Sequence, residues 1–168
     1  MLESDEFRSN KFIQRRLAVN NYIKFGAMIT TSTVVMFGLM YLNTYQISHV
    51  VFSETRLYMA LIMGATMGII MLTFMRKMYT NIRLNIGIYA GCIILLVLSI
   101  WLVRSQATVD DVSWMKAMIP HHSIAILTSE RANIEDPRVN DLAERIIETQ
   151  RSEIEEMQAL IDDLKSSK

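Results

Sequence analysis

The chain has 168 residues, 51% of them hydrophobic, with 17 Lys+Arg against 17 Asp+Glu, which leaves room for one modest domain beside its apolar part. A single Cys excludes a disulfide framework. The zero net charge conceals a division: residues 1–104 carry ten Lys/Arg and four acids (+6), and residues 105–168 carry seven and thirteen (−6). The acidic part lacks the basic face a phosphate backbone needs, so nucleic acid is excluded as a partner. Thirteen Met are the one compositional oddity.

Three apolar runs, Ile23–Leu42, Leu57–Met75 and Leu84–Val103, each come close to the roughly 20 residues a helix needs to cross hydrocarbon. The first is too long for a cleavable signal and no small-residue cleavage site follows it, so it reads as an anchor. Arg8, Lys11, Arg15, Arg16 and Lys24 precede the first run, and Arg76, Lys77 and Arg83 lie between the second and third. Only Arg56 and Arg104 flank the other side. The positive-inside rule then predicts a cytoplasmic N-terminus, a multi-pass protein of the bacterial inner membrane, and a periplasmic or extracellular C-terminal part.

Within the spans, Ala60, Gly64 and Gly68 form a small-residue ridge on the second helix, and Gly87 with Gly91 repeats the spacing on the third, which predicts close packing of that pair. Thr30, Thr31, Ser32 and Thr33 make the first helix more polar, through hydrogen bonds to its own carbonyls or to neighbouring helices. Cys92, mid-span, reads as a small hydrophobe. Met59, Met63, Met67, Met71 and Met75 recur every four residues, with Met78 beyond and Met28, Met36 and Met40 on the first helix. This ridge is either a flexible packing surface or a ladder of thioethers suited to a soft cation. His49 and Glu54, in the exported loop, are solvated groups or an access point for metal.

From Asp110 the pattern becomes amphipathic helix, broken at Asn133–Pro137, where Asp136-Pro137 reads as a turn with Pro opening the next helix. At about 100° per residue, Met115, Met118, His122, Ala125, Ile126 and Ser129 share one sector of the first helix, with Trp114 and His121 at one edge and Val112 and Ile119 at the other. The second helix clusters Val139, Leu142, Ile146, Gln150, Glu153, Met157, Ile161 and Leu164. Folding the hairpin near residue 135 sets His122 opposite about 148, Met118 opposite about 152 and Met115 opposite about 155. A His, thioethers, a carboxamide and a carboxylate thus reach one level, where each polar group needs a partner or an ion. A Met and His set beside a carboxylate favours copper or silver over Zn(II), Mg(II) or Ca(II). Pro120 removes an amide within this cluster and predicts a kink.

Trp114, Met118-Ile119-Pro120-His121-His122, Ala125-Ile126, then Leu142-Ala143, Ile146-Ile147, Gln150, Glu153-Ile154 and Met157 resemble the domain of unknown function 305 family over about residues 110–164. That resemblance implies a ferritin-like helical bundle, usually exported, with copper binding through Met and His in some members. Carried over by position, it points to Met118, His121, His122 and Met157, with Glu153 and Gln150 in support. The chain departs at Thr128, where the family often has Met, and at Leu160, where it often has Trp.

The expected protein is therefore all-α: a basic N-terminus (1–22), a three-helix transmembrane domain (23–104) and an exported hairpin (105–168). The hairpin would be half of a ferritin-like four-helix bundle, completed by a homodimer or higher oligomer because two amphipathic helices cannot bury their stripes alone. Its expected role is non-enzymatic copper binding, Cu(I) favoured and Ag(I) possible, through His121, His122, Met118, Met115, Met157, Glu153 and Gln150. Its expected partners are the metal ion, the bilayer and further copies. The alternative is a metal-free structural or assembly subunit of a membrane complex, docking through an acidic face that includes Glu148, Glu155 and Asp162. A di-iron oxidase fits poorly, because neither His follows a Glu by three residues.

Overall fold

Apolar length decides the first three helices and amphipathic period the last two. The computed structural model describes residues 2–167, with side chains from Val19 onward. It contains α1 (Leu2–Leu39), α2 (Glu54–Phe74), α3 (Ile82–Ser105), α4 (Asp111–Arg131) and α5 (Pro137–Ser166), with a single 3₁₀ turn, Ile47–His49, between α1 and α2. No strand occurs among the described residues. Val19–Leu39, α2 and α3 are each long and apolar enough to cross a membrane. The basic segment before Val19 is helical and continuous with the first span.

The chain divides into two compact units. The first runs to Met36 and resumes at Tyr58–Arg104. Phe25, Leu72 and Tyr79 form its buried aromatic and aliphatic centre, with Met71 and Met75 packed against them. Two of the ladder methionines thus serve as packing. Tyr22 ties the α2–α3 turn to α1: its hydroxyl donates to the Asn85 carboxamide oxygen at 2.8 Å and accepts from the Asn81 amide at 3.2 Å.

The glycine ridges differ from the sequence expectation. A Cβ on Gly64 would fall 2.3 Å from the Thr33 hydroxyl of α1, and one on Gly68 would fall 2.9 Å from Cys92 Sγ of α3. Gly87 and Gly91 would meet nothing within 4 Å. The ridge on α2 therefore serves α1 as well as α3, because it lies on the helix that has neighbours on two sides. Thr33 resolves the question of the hydroxyl run in favour of back-bonding at that position, donating to the Ile29 carbonyl at 2.8 Å.

The second unit joins Phe37–Leu57 to everything from Ser105 onward, so the α1–α2 loop packs with the C-terminal hairpin. The side chain of Asp110 caps α4 by accepting from the Ser113 amide at 2.7 Å, and Asp136 caps α5 through the Arg138 amide at 2.9 Å, with Pro137 at its first turn. Hydrogen bonds from Arg138 hold the Asp136 carboxyl below the usual carboxylate range. Between α4 and α5, Met115, Ile119, Ile126, Ile154, Met157 and Ile161 make a continuous core. At about 25 cal/mol per Å² of buried apolar surface, this seam is the main source of the hairpin's stability.

The buried stripes are rotated from the sequence projection. On α4 the innermost residues are Met115, Ile119, Ser123 and Ile126, whereas His122, Ala125 and Ser129 are half-buried. On α5 they are Ala143, Ile154, Met157 and Ile161, whereas Val139 and Leu142 are exposed. The α1–α2 loop covers the Ser123 edge of α4, which buries a face that the hairpin alone would leave open.

Candidate functional site

Ser123 is wholly buried and takes two bonds from the loop: its Oγ accepts from the Tyr45 amide at 2.7 Å and lies 2.9 Å from Nδ1 of His49. The Ser123 hydroxyl, with one donor and two acceptor sites, can satisfy the Tyr45 amide and Nδ1 of His49 together. Burial pushes the His49 pKa down, consistent with a neutral ring. The Tyr45 hydroxyl donates to Glu130 at 3.1 Å, and Arg151 pairs with the same carboxylate. Sequence reasoning missed this clasp and set His49 in solvent or on a metal route. Glu54 likewise is an acceptor for the Ser113 hydroxyl at 3.4 Å. Neither departure was legible in the sequence, because a hydroxyl 74 positions away carries no local signal.

The seven expected metal-site residues fall into three groups. Met115 and Met157 are core, 5% and 6% exposed, and pack with isoleucines. His122, Glu153 and Gln150 form a half-buried chain. His121 is exposed and lies with Met118 and Trp114 along a shallow depression.

The central group has unusual geometry. Nδ1 of His122 is buried and its close polar neighbour is Oε2 of Glu153 at 3.0 Å, an ion-pair contact that falls short of full hydrogen-bond geometry. The Gln150 carboxamide holds the same Oε2 at 3.1 Å. Burial is the largest influence on His122 and lowers its pKa, with His121 adding to the effect and Glu153 opposing it. Met118 lies one helical turn before His122, and the His121 and His122 ring centroids are 6.4 Å apart. A buried imidazole nitrogen beside a carboxylate, with a thioether one turn away, is a donor set of the kind that suits a soft cation. Among the described residues no three His, Cys, Asp or Glu side chains converge as a hard-metal cage would require.

Thr128 and Leu160 add nothing to this set: the Thr128 hydroxyl bonds back to the Ile124 carbonyl at 2.9 Å, and Leu160 is exposed. His122 was expected level with position 148, with a pairing to Glu153 as the metal-free alternative, and it meets Glu153. Side chains in each helix tilt toward its N-terminus. In an antiparallel pair the tilts run in opposite directions, so contacting residues lie farther from the turn than backbone height alone predicts.

The family profile described as Domain of unknown function (DUF305) matches residues 102–167, the segment that contains α4 and α5. The chain is also 33% identical over 146 residues to the uncharacterized protein L153 of Acanthamoeba polyphaga mimivirus, an alignment covering 83% of this chain and 94% of that one. It belongs to the DUF305 family. No solved structure matches the chain. An alignment of 146 residues cannot fit inside 102–167, so the likeness to the viral protein extends beyond the DUF305 segment into the membrane-length helices.

Proposed function

We propose that the protein is a membrane-anchored copper- or silver-binding module whose cargo ion is taken by His122 with Met118 and His121, supported by Glu153 and Gln150. The observation that carries this reading is Nδ1 of His122, a buried polar atom that meets the Glu153 carboxylate at 3.0 Å without full hydrogen-bond geometry. A soft monovalent ion would bind that nitrogen and would accept thioether sulfur as a further ligand. Glu153, fixed by Gln150, balances the ion's charge, and the lowered His122 pKa keeps the imidazole free of a competing proton. Met115 and Met157 support the site as core packing.

The proposed orientation follows the charge asymmetry: N-terminus cytoplasmic, hairpin on the far side, which in a bacterium is the periplasm. A second copy would cover the exposed Val139, Leu142 and Leu160 and complete a four-helix bundle. The same exposed side chains favour the metal-free reading, in which the hairpin docks a subunit of a larger membrane complex.

Elemental mass spectrometry on the detergent-purified full chain, loaded with Cu(I) or Ag(I), tests the proposal against the His121→Ala/His122→Ala variant. Metal retained by the wild type and lost from the variant is the expected result. Equal content in both overturns it and leaves the docking reading.

A further inference from the structure

Arg56 stands half-buried in the first turn of α2, and among the described residues no carboxylate lies within ion-pair distance of it. Neutral groups hold it: one Nη donates to the Met40 carbonyl, the guanidinium carbon sits 4.4 Å from the centroid of the Tyr41 ring, and the Tyr41 hydroxyl accepts from the Ser53 amide at 3.1 Å. A guanidinium drawn partly out of water, fixed in position and lacking a counter-charge is prepared for an external anion, and its planar fork matches the oxygens of a phosphate.

Arg56 opens onto a depression of about 260 Å³ walled by Ser53, Thr55, Gln106, Trp114, Met118 and His121. That is below the roughly 300–1,000 Å³ of pockets that enclose drug-sized molecules, so it suits a headgroup rather than a whole lipid. Chain position sets its depth. Arg56 belongs to the first turn of one membrane-length helix, and Gln106 directly follows the last residue of another. Both lie where hydrocarbon gives way to headgroups, the level at which Trp is also favoured, and Trp114 is 51% exposed.

We propose that this depression binds the phosphate group of an anionic membrane lipid, with Arg56 as the charged anchor, Thr55 offering a hydroxyl, and Trp114 lying against the glycerol region. The depression shares Met118 and His121 with the proposed metal site, but the inference rests on Arg56 alone, so variants at Arg56 and Thr55 test it separately from the His121→Ala/His122→Ala variant.

Native mass spectrometry of the full chain in neutral detergent, with phosphatidylglycerol, phosphatidylcholine or inorganic phosphate added separately or in competition, tests it. The wild type should retain phosphatidylglycerol at least tenfold better than phosphatidylcholine, and Arg56→Gln should lose that preference. Because Arg56→Gln also removes the link to Met40, Thr55→Asp provides a second variant. It places a carboxylate beside the guanidinium, leaves the Met40 and Tyr41 interactions intact, and suits the first turn of a helix. Thr55→Asp should lose the preference as well. Equal phosphatidylglycerol retention by wild type and Thr55→Asp overturns the proposal. Complete displacement of the lipid by an equal concentration of inorganic phosphate also overturns it, assigning the site to free phosphate.

Discussion

Ser123 Oγ lies 2.9 Å from Nδ1 of His49 in a fully buried setting, joining the loop after the first span to the middle of α4. Ser123→Ala removes the acceptor of the Tyr45 amide and the hydrogen-bond partner of His49 together. Leaving buried polar groups unpaired costs about 1–3 kcal/mol. The expected outcome is that loss in denaturant unfolding of the full chain in detergent, together with faster hydrogen exchange at the Tyr45 amide. Unchanged exchange at Tyr45 would show that the clasp does not hold the loop.

His49 also sets a pH dependence. Its pKa in the folded chain lies below the 6.5 of a free imidazole because of burial. Between the folded value and about 6.5 the unfolded chain binds more protons, so stability rises with pH across that window and is lost as pH falls through it. His122 acts in the same direction. Stability measured from pH 7.5 to 5 should therefore decline, and His49→Gln should flatten part of the slope while leaving the share due to His122. An unaltered slope in His49→Gln would remove His49 from the account.

The buried Nδ1 of His122 predicts an opposition between stability and binding. His122→Leu replaces a buried nitrogen that lacks full hydrogen-bond geometry with apolar volume and should stabilise the metal-free protein by about 1 kcal/mol. The same variant should lose Ag(I) retention. Destabilisation by His122→Leu would mean that the imidazole is a structural partner of Glu153.

The two glycine ridges should respond differently. Gly64→Ala sets a Cβ against the Thr33 hydroxyl, itself bonded to the Ile29 carbonyl, and should cost about 1–3 kcal/mol of overpacking. Gly87→Ala meets nothing within 4 Å and should leave the melting temperature in detergent unchanged. Equal sensitivity at both positions would show that α3 packs through its own ridge.

The legible parts of the fold were those written in local chemistry. Three apolar runs marked the spans to within a few residues, and Asp110 and Asp136-Pro137 marked the starts of α4 and α5. The rotation of the hairpin stripes was not legible. Hydrophobicity alone cannot choose between Ile119 and His122 as the inner neighbour of Met115 when a distant loop supplies the deciding cover. For the same reason Met115 and Met157 became buried members of the core, whereas Met118 is half-buried and packs against its edge. The pairing of His122 with Glu153 was anticipated in residue type, and the side-chain tilt of antiparallel helices explains its displaced level.

The Tyr45 and His49 clasp changes how the hairpin is attached. Residues 106–110 form the covalent link from α3 to α4, and the clasp adds a second attachment through a loop whose two ends enter α1 and α2. Two attachments act at high effective concentration on one another, so release requires both to fail together. The hairpin is thus stapled rather than leashed: a protease that cuts the 106–110 connector severs the chain but leaves α4 and α5 held on the loop.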